Sequence, residues 1–166
     1  MARIISNTSP LIALSKIHQL HLLWELYDQV FISEAIYEEI IASSDEKSSG
    51  KKDVRQAVQN QNISLYQIQD QALVKSMYGK LHKGELETIV GGRELNADFV
   101  LIDEKAARQT AKNFFLTVIG SIGILRIAKR KGKIEQIKPY MDFLMMEGYR
   151  ISQSIYRMVL ETEEEL

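Results

Sequence analysis

The sequence predicts an α/β fold built on a doubly wound parallel sheet of four or five strands, and three observations carry that expectation. Short apolar runs alternate along the chain with stretches of helical periodicity, the pattern of repeated strand–helix units. Phe99-Val100-Leu101-Ile102 is apolar without interruption, as a parallel strand covered on both faces must be. The runs ending at Ser6 and Ile102 give way at once to oxygen-bearing side chains, Asn7-Thr8-Ser9-Pro10 and Asp103-Glu104, where open α/β sheets build their sites.

Taken in order, Arg3-Ile4-Ile5-Ser6 reads as a first strand, and Pro10 to Leu14 opens a helix with Ser9 as cap and Pro10 at its first position. A second helix runs from about Leu20 to Tyr27. Val30-Phe31-Ile32 is a short strand, and Ser33 caps a helix over Glu34 to Ala42 whose Ala35, Ile36, Glu39 and Ile40 recur at helical spacing. Residues 43–52 hold Ser, Lys, Asp, Glu and Gly with almost nothing to bury, which predicts a mobile loop. Asp53 to Gln59 reads as a short polar helix and Ile63 to Tyr66 as an edge strand. Lys83 to Leu95 is helical, followed by the central strand at 99–102, a helix over Ala106 to Asn113 and a strand over Leu116 to Ile119. Gly120 to Arg130 is a helix closed by Gly132, and amphipathic helices over Ile134 to Glu147 and Ser152 to Leu160 complete the chain before an acidic tail at 161–166, expected to be frayed and solvated.

Length and composition fit one domain over residues 1–166, since 166 residues with 45% hydrophobic content can bury a real core. Net charge is -1, so any nucleic-acid contact has to be local. The absence of cysteine excludes disulfides, thiolate metal sites and thiol nucleophiles. His18, His21 and His82 have no metal-ligand spacing. The apolar runs fall well short of the roughly 18 residues of a membrane span, and no charged leader precedes an apolar core, so the expected setting is the cytoplasm with no membrane partner. In that setting Asn7-Thr8-Ser9 and Asn62-Ile63-Ser64 are not glycosylation acceptors.

Phosphate-binding loops, dinucleotide fingerprints, nucleophile elbows and paired-histidine zinc motifs are all missing. Carboxylates remain: Glu39 beside Glu38, Glu85 and Glu87 after Gly84, and Asp103 beside Glu104. Hard divalent cations take oxygen ligands, and an ion at strand ends can activate water against a phosphodiester. Each residue also has a plainer reading. Asp103 can cap the helix that follows it, Glu85 can favour a helix amino terminus through the dipole, and Glu38 and Glu39 can form a solvated helix face.

The order of these motifs resembles the PIN-domain superfamily, with a poorly characterised branch similar to VapC toxins as the nearest likeness. The resemblance rests on residues 4–14, on Ala35-Ile36-Tyr37-Glu38-Glu39-Ile40, on residues 82–89, on Val100 to Arg108, and on the glycine-containing stretch Thr117 to Leu125 with Ala128 to Gly132, so it covers nearly the whole chain. It implies a PIN-like three-layer α/β/α fold with extra carboxy-terminal helices, and a Mg²⁺- or Mn²⁺-dependent ribonuclease. The family's acidic positions fall on Asn7, Glu39, Glu85 and Asp103, both catalytic and metal-binding, with Thr8, Ser9, Glu38, Glu87 and Glu104 in support. Asn7 departs from the usual aspartate, because an amide oxygen ligates without charge and cannot act as a base. The alternative is therefore a catalytically weakened PIN-like module that binds nucleic acid or protein.

Arg126, Lys129, Arg130, Lys131 and Lys133 form the basic cluster expected to contact RNA phosphates, although cations in a last helical turn are favoured by the dipole in any case. The resemblance also implies an RNA substrate, a small antitoxin protein and a homodimer. Leu20, Leu22, Leu23, Trp24 and Leu26 offer apolar surface for the dimer, or else pack under the carboxy-terminal helices.

Overall fold

The computed structural model describes residues 1–43 and 49–166. Strand β1 (Arg3–Ser6) leads into α1 (Thr8–Lys16) and α2 (Leu22–Leu26), and β2 (Gln29–Ser33) into α3 (Glu34–Ile41) and α4 (Ser49–Gln59). Then come β3 (Ser64–Tyr66), α5 (Gln71–Ser76), α6 (Lys83–Glu94), β4 (Phe99–Leu101), α7 (Lys105–Asn113) and β5 (Val118–Ile119), followed by α8 (Ser121–Arg130), α9 (Lys138–Met146) and α10 (Gln153–Thr162).

The five strands lie in the order β3-β2-β1-β4-β5, and every neighbouring pair is parallel. From β1 the chain winds outward through β2 to β3, then returns to the other side of β1 with β4 and β5. The winding direction therefore changes between β1 and β4, and the carboxyl ends of those two strands form the crevice where such sheets take ligands. Ile4 lies opposite both Val30 and Phe99, and Ile5 opposite Val100.

Successive strand residues face opposite layers. Ile4 packs with Leu11 and Leu14 of α1, Leu22 and Leu23 of α2, and Ile124 and Leu125 of α8. Ile5 packs on the other face with Ile89 of α6 and Ala107 and Ala111 of α7. Ile4, Ile5, Val100 and Leu101 are fully buried, each contributing about 1.5–3 kcal/mol of hydrophobic stabilisation. Helix α6 reaches the sheet through glycine: a Cβ on Gly91 would lie 2.7 Å from Ile5 Cδ1, and one on Gly92 2.8 Å from Val100 Cγ2.

Several expectations change. Residues 49–52 are the first turn of α4, and the remainder of the expected mobile loop, 44–48, lies outside the described residues. Helix α1 starts at Thr8 with Asn7 as its N-cap residue, so Ser9 is inside the first turn and Pro10 follows it, where a missing N–H costs no helical bond. Helix α5 had no clear apolar period to announce it. Helix α9 begins at Lys138, four residues later than the periodicity suggests. Leu20, Leu22 and Leu23 are buried in the chain's own core, with Trp24 and Leu26 packed against it, so this segment offers no broad apolar face to a second copy. The acidic end is not frayed: α10 runs to Thr162, Glu163 is only 8% exposed, and Glu165 accepts the backbone N–H groups of Ile137 and Lys138 at the start of α9.

Candidate active site

Asn7 and Asp103 stand just past the carboxyl ends of β1 and β4, on the same side of the sheet. The Asn7 backbone N–H donates to the Leu101 carbonyl at 3.0 Å, extending the ladder by one residue and tying the two strand ends together. Although Asn7 holds the N-cap position of α1, its side chain makes no cap bond, and the residue is 4% exposed. The capping explanation therefore does not account for it. Thr8 Oγ1 donates to Glu39 Oε2 at 3.3 Å, which brings α3 to the crevice. Helix α3 is set by Ser33, whose hydroxyl accepts the Ile36 N–H at 3.2 Å.

Gly84 lets α6 begin against α3. A Cβ there would lie 2.7 Å from Ile36 Cδ1 and 3.0 Å from Glu39 Oε2, so the Glu39 carboxylate rests on glycine backbone. The next residue, Glu85, is 6% exposed, and its Oε1 accepts the His82 N–H at 3.1 Å as a helix-start cap. Its Oε2 is buried with no hydrogen-bond donor. Glu87 is as deeply buried but fully engaged: it accepts from Ala35 N–H at 3.4 Å and from Gln71 Nε2 at 3.2 Å, and lies 4.0 Å from Lys83 Nζ. Glu87 pins α6 to α3 and α5, whereas Glu85 faces the Glu104 carboxyl.

Asp103 caps a helix, but α8 rather than α7. Its Oδ1 accepts the Ser121 N–H and its Oδ2 the Ser121 hydroxyl, both at 2.7 Å. Gly120 makes room, since a Cβ would lie 2.9 Å from both Asp103 Oδ1 and Arg108 Nη1. Burial, and then the charge of Asp103 beside it, push the Tyr149 hydroxyl well above its ordinary range. Glu104 is raised first by desolvation, then by the charge and hydrogen bonding of Glu85, with Asp103 adding to the repulsion and His82 opposing it. Glu85, Asp103 and Glu104 thus form one patch of negative charge. Glu38 is exposed and lines an open cleft of about 500 Å³ with Glu39, His82 and Gly84.

A family model described as a PIN domain (DUF3368) matches residues 3–165. The chain belongs to the PIN-domain family. No curated protein matches it. PIN domains are nuclease-type folds that bind nucleic acid and generally work with divalent metal ions.

In this PIN domain the fit to such an ion is carried by Glu85. Among the described residues, no group of three or more His, Cys, Asp or Glu stands close enough together to hold a metal. The donor chemistry nevertheless suits one hard cation, because the Glu85, Glu104 and Asp103 carboxylates crowd together and disfavour the charged form of Glu104. The basic cluster of α8 is largely engaged elsewhere. Glu163 Oε1 accepts from Arg126 Nε at 3.0 Å and Arg130 Nη2 at 2.8 Å, while Lys129 pairs with Glu165 at 2.8 Å and donates to the Glu163 carbonyl. Lys131 and Lys133 stay exposed. Around Asp103, Arg108 and Ser121 lie in stretches that carry the resemblance but had no site role there, and nothing in the sequence pointed to Tyr149.

Proposed function

We propose that this PIN domain is an endoribonuclease dependent on Mg²⁺ or Mn²⁺, with Asn7, Glu39, Glu85 and Asp103 as the catalytic and metal-holding set and Glu104 beside them. The observation that carries the reading is the crowding of the buried Glu85 carboxylate against Glu104 and Asp103, whose charges raise the proton affinity of Glu104. Concentrated negative charge, which His82 only partly opposes, is what a hard divalent ion balances. When bound, such an ion lowers the pKa of a coordinated water and neutralises the phosphodiester.

The chain's own groups do the rest. Ser121 fixes the Asp103 carboxylate, Thr8 steadies Glu39, and Ser9 lies one residue further along the first turn of α1. Asn7 contributes an amide oxygen without adding charge. In the reaction a water oxygen bonds to phosphorus as the P–O bond to the leaving nucleoside breaks, and the water's proton ends on that leaving oxygen. Glu87 is held by its own partners, and Glu38 sits at the cleft's lip, so both support rather than ligate.

Cleavage of single-stranded RNA in Mn²⁺ or Mg²⁺, abolished by Asp103→Ala together with calorimetric metal binding, is the expected result. The neutral Asn7 amide and the double engagement of Asp103 by Ser121 favour a second reading, a weakened binding module. Neither cleavage nor metal binding in the natural chain, with both appearing in Asn7→Asp, would establish that module instead. Within the nuclease reading, the likeness to VapC toxins extends to a small antitoxin partner, a homodimer and a cytoplasmic setting. Growth arrest on expression, relieved by a small co-purifying partner, tests the toxin role, and light scattering tests the dimer.

A further inference from the structure

A cavity of about 450 Å³ opens from Asp103 and runs between α8 and α10, under the segment that joins α9 to α10. Its volume is that of an ordinary ligand site, about 300–1,000 Å³. Half-buried Arg108 and exposed Arg150 both line it. Among the described residues neither guanidinium has a carboxylate partner within salt-bridge distance: Arg108 donates one Nη1 bond to the Ile102 carbonyl at 2.8 Å, and Arg150 is exposed with no hydrogen bond of its own. The third arginine on the wall, Arg126, has its Nε taken by Glu163. Between them the floor is apolar, with Ile155 47% and Met158 44% exposed on α10.

We infer that this groove is the track for the RNA strand flanking the scissile phosphate, with Arg108 and Arg150 binding successive phosphates and the Ile155–Met158 floor supporting sugar and base faces. The inference rests on the nuclease reading of Asp103. A strand leaving that carboxylate carries its next negative charges past these two guanidinium groups, and guanidinium is the side chain best matched to phosphate oxygens. The exposed cations at the end of α8, in contrast, lie outside the groove.

The test uses the full chain in EDTA, where no cleavage occurs, and fluorescence anisotropy of a labelled single-stranded RNA. Arg150→Gln weakens binding about five- to tenfold and lowers the slope of log affinity against log salt by ~0.7, the loss of one phosphate contact. Lys131→Gln changes affinity less than about twofold by the same measure. In Mn²⁺, Arg150→Gln raises KM for a long RNA and leaves kcat unchanged. Equal effects of the two substitutions, no effect of Arg150→Gln, or a purified acidic partner protein whose binding needs Arg150 while RNA affinity does not, overturns the groove. The two readings separate cleanly. RNA binding that depends on Arg150 without cleavage in any metal sinks the nuclease and leaves the groove, whereas cleavage indifferent to Arg150 does the reverse.

Discussion

Glu163 near the chain end and Glu104 beside the crevice both lie next to other charges, yet their proton affinities move in opposite directions. Burial raises both. At Glu163 the hydrogen bonds from Arg126 and Arg130 outweigh that penalty, so the carboxyl falls below its ordinary range, and Glu165 falls likewise through Lys129 and the N–H groups of Ile137 and Lys138. At Glu104 the neighbours are Glu85 and Asp103, and the carboxyl rises. The tail is a closed electrostatic unit that clamps α10 to α8 and α9. The crevice is an open one, where carboxylates crowd each other and His82 only partly offsets them, and strain of that kind concentrates at functional sites.

The largest expected effect comes from the open region. Glu85→Gln removes the charge but keeps the volume and the bond to His82, and cleavage in Mn²⁺ falls by more than the roughly 10–100-fold typical of losing a supporting partner. Thermal unfolding of the same variant in EDTA moves upward. A lower melting temperature would erase the contrast, since Glu85 would then be stabilising like Glu163.

In the closed region, Glu163→Gln leaves two guanidinium groups without their counter-ion and lowers unfolding free energy in urea by about 1–3 kcal/mol. Arg130 is more than half exposed, so solvent screening keeps the loss at the lower end of what a buried pair would show. An unchanged midpoint would reduce the tail to a surface decoration.

Acid sharpens the same point. Because the folded-state values of Glu163 and Glu165 are depressed, their contribution is present above the ordinary carboxyl value of 4.5 and is lost as pH falls below it through the folded values. Stability of the natural chain therefore declines in that window more steeply than stability of Glu163→Gln, and urea melts between about pH 3 and 5, around the ordinary carboxyl range, would reveal parallel curves if the clamp were idle.

The smallest effect belongs to Glu104→Gln, which relieves repulsion at an exposed position, where solvent screening holds the gain in stability in EDTA at neutral pH to at most about 0.5 kcal/mol. A destabilised variant would mean that Glu104 is held by a favourable contact rather than crowded by Glu85.

Local pattern made much of this molecule legible before any contact was known. The apolar run at 99–102, the cap at Ser33 and the oxygen-bearing ends of the strands at Asn7 and Asp103 are short-range consequences of a strand buried on both faces and a helix needing its first donors satisfied. The pairing of β1 with β4 puts Asn7 beside Asp103. What the tertiary structure alone decided was which charges meet. Glu85 and Glu87 are two residues apart on one helix and so face different ways, but only packing determines that Glu87 meets Ala35 and Gln71 while Glu85 meets Glu104. A run of glutamates reads as solvated tail because sequence holds no record of the cations that α8 presents to it from more than thirty residues away. Arg108 and Arg150 share a groove for the same reason: electrostatic partnership acts through space, and the chain's order does not encode distance through the fold.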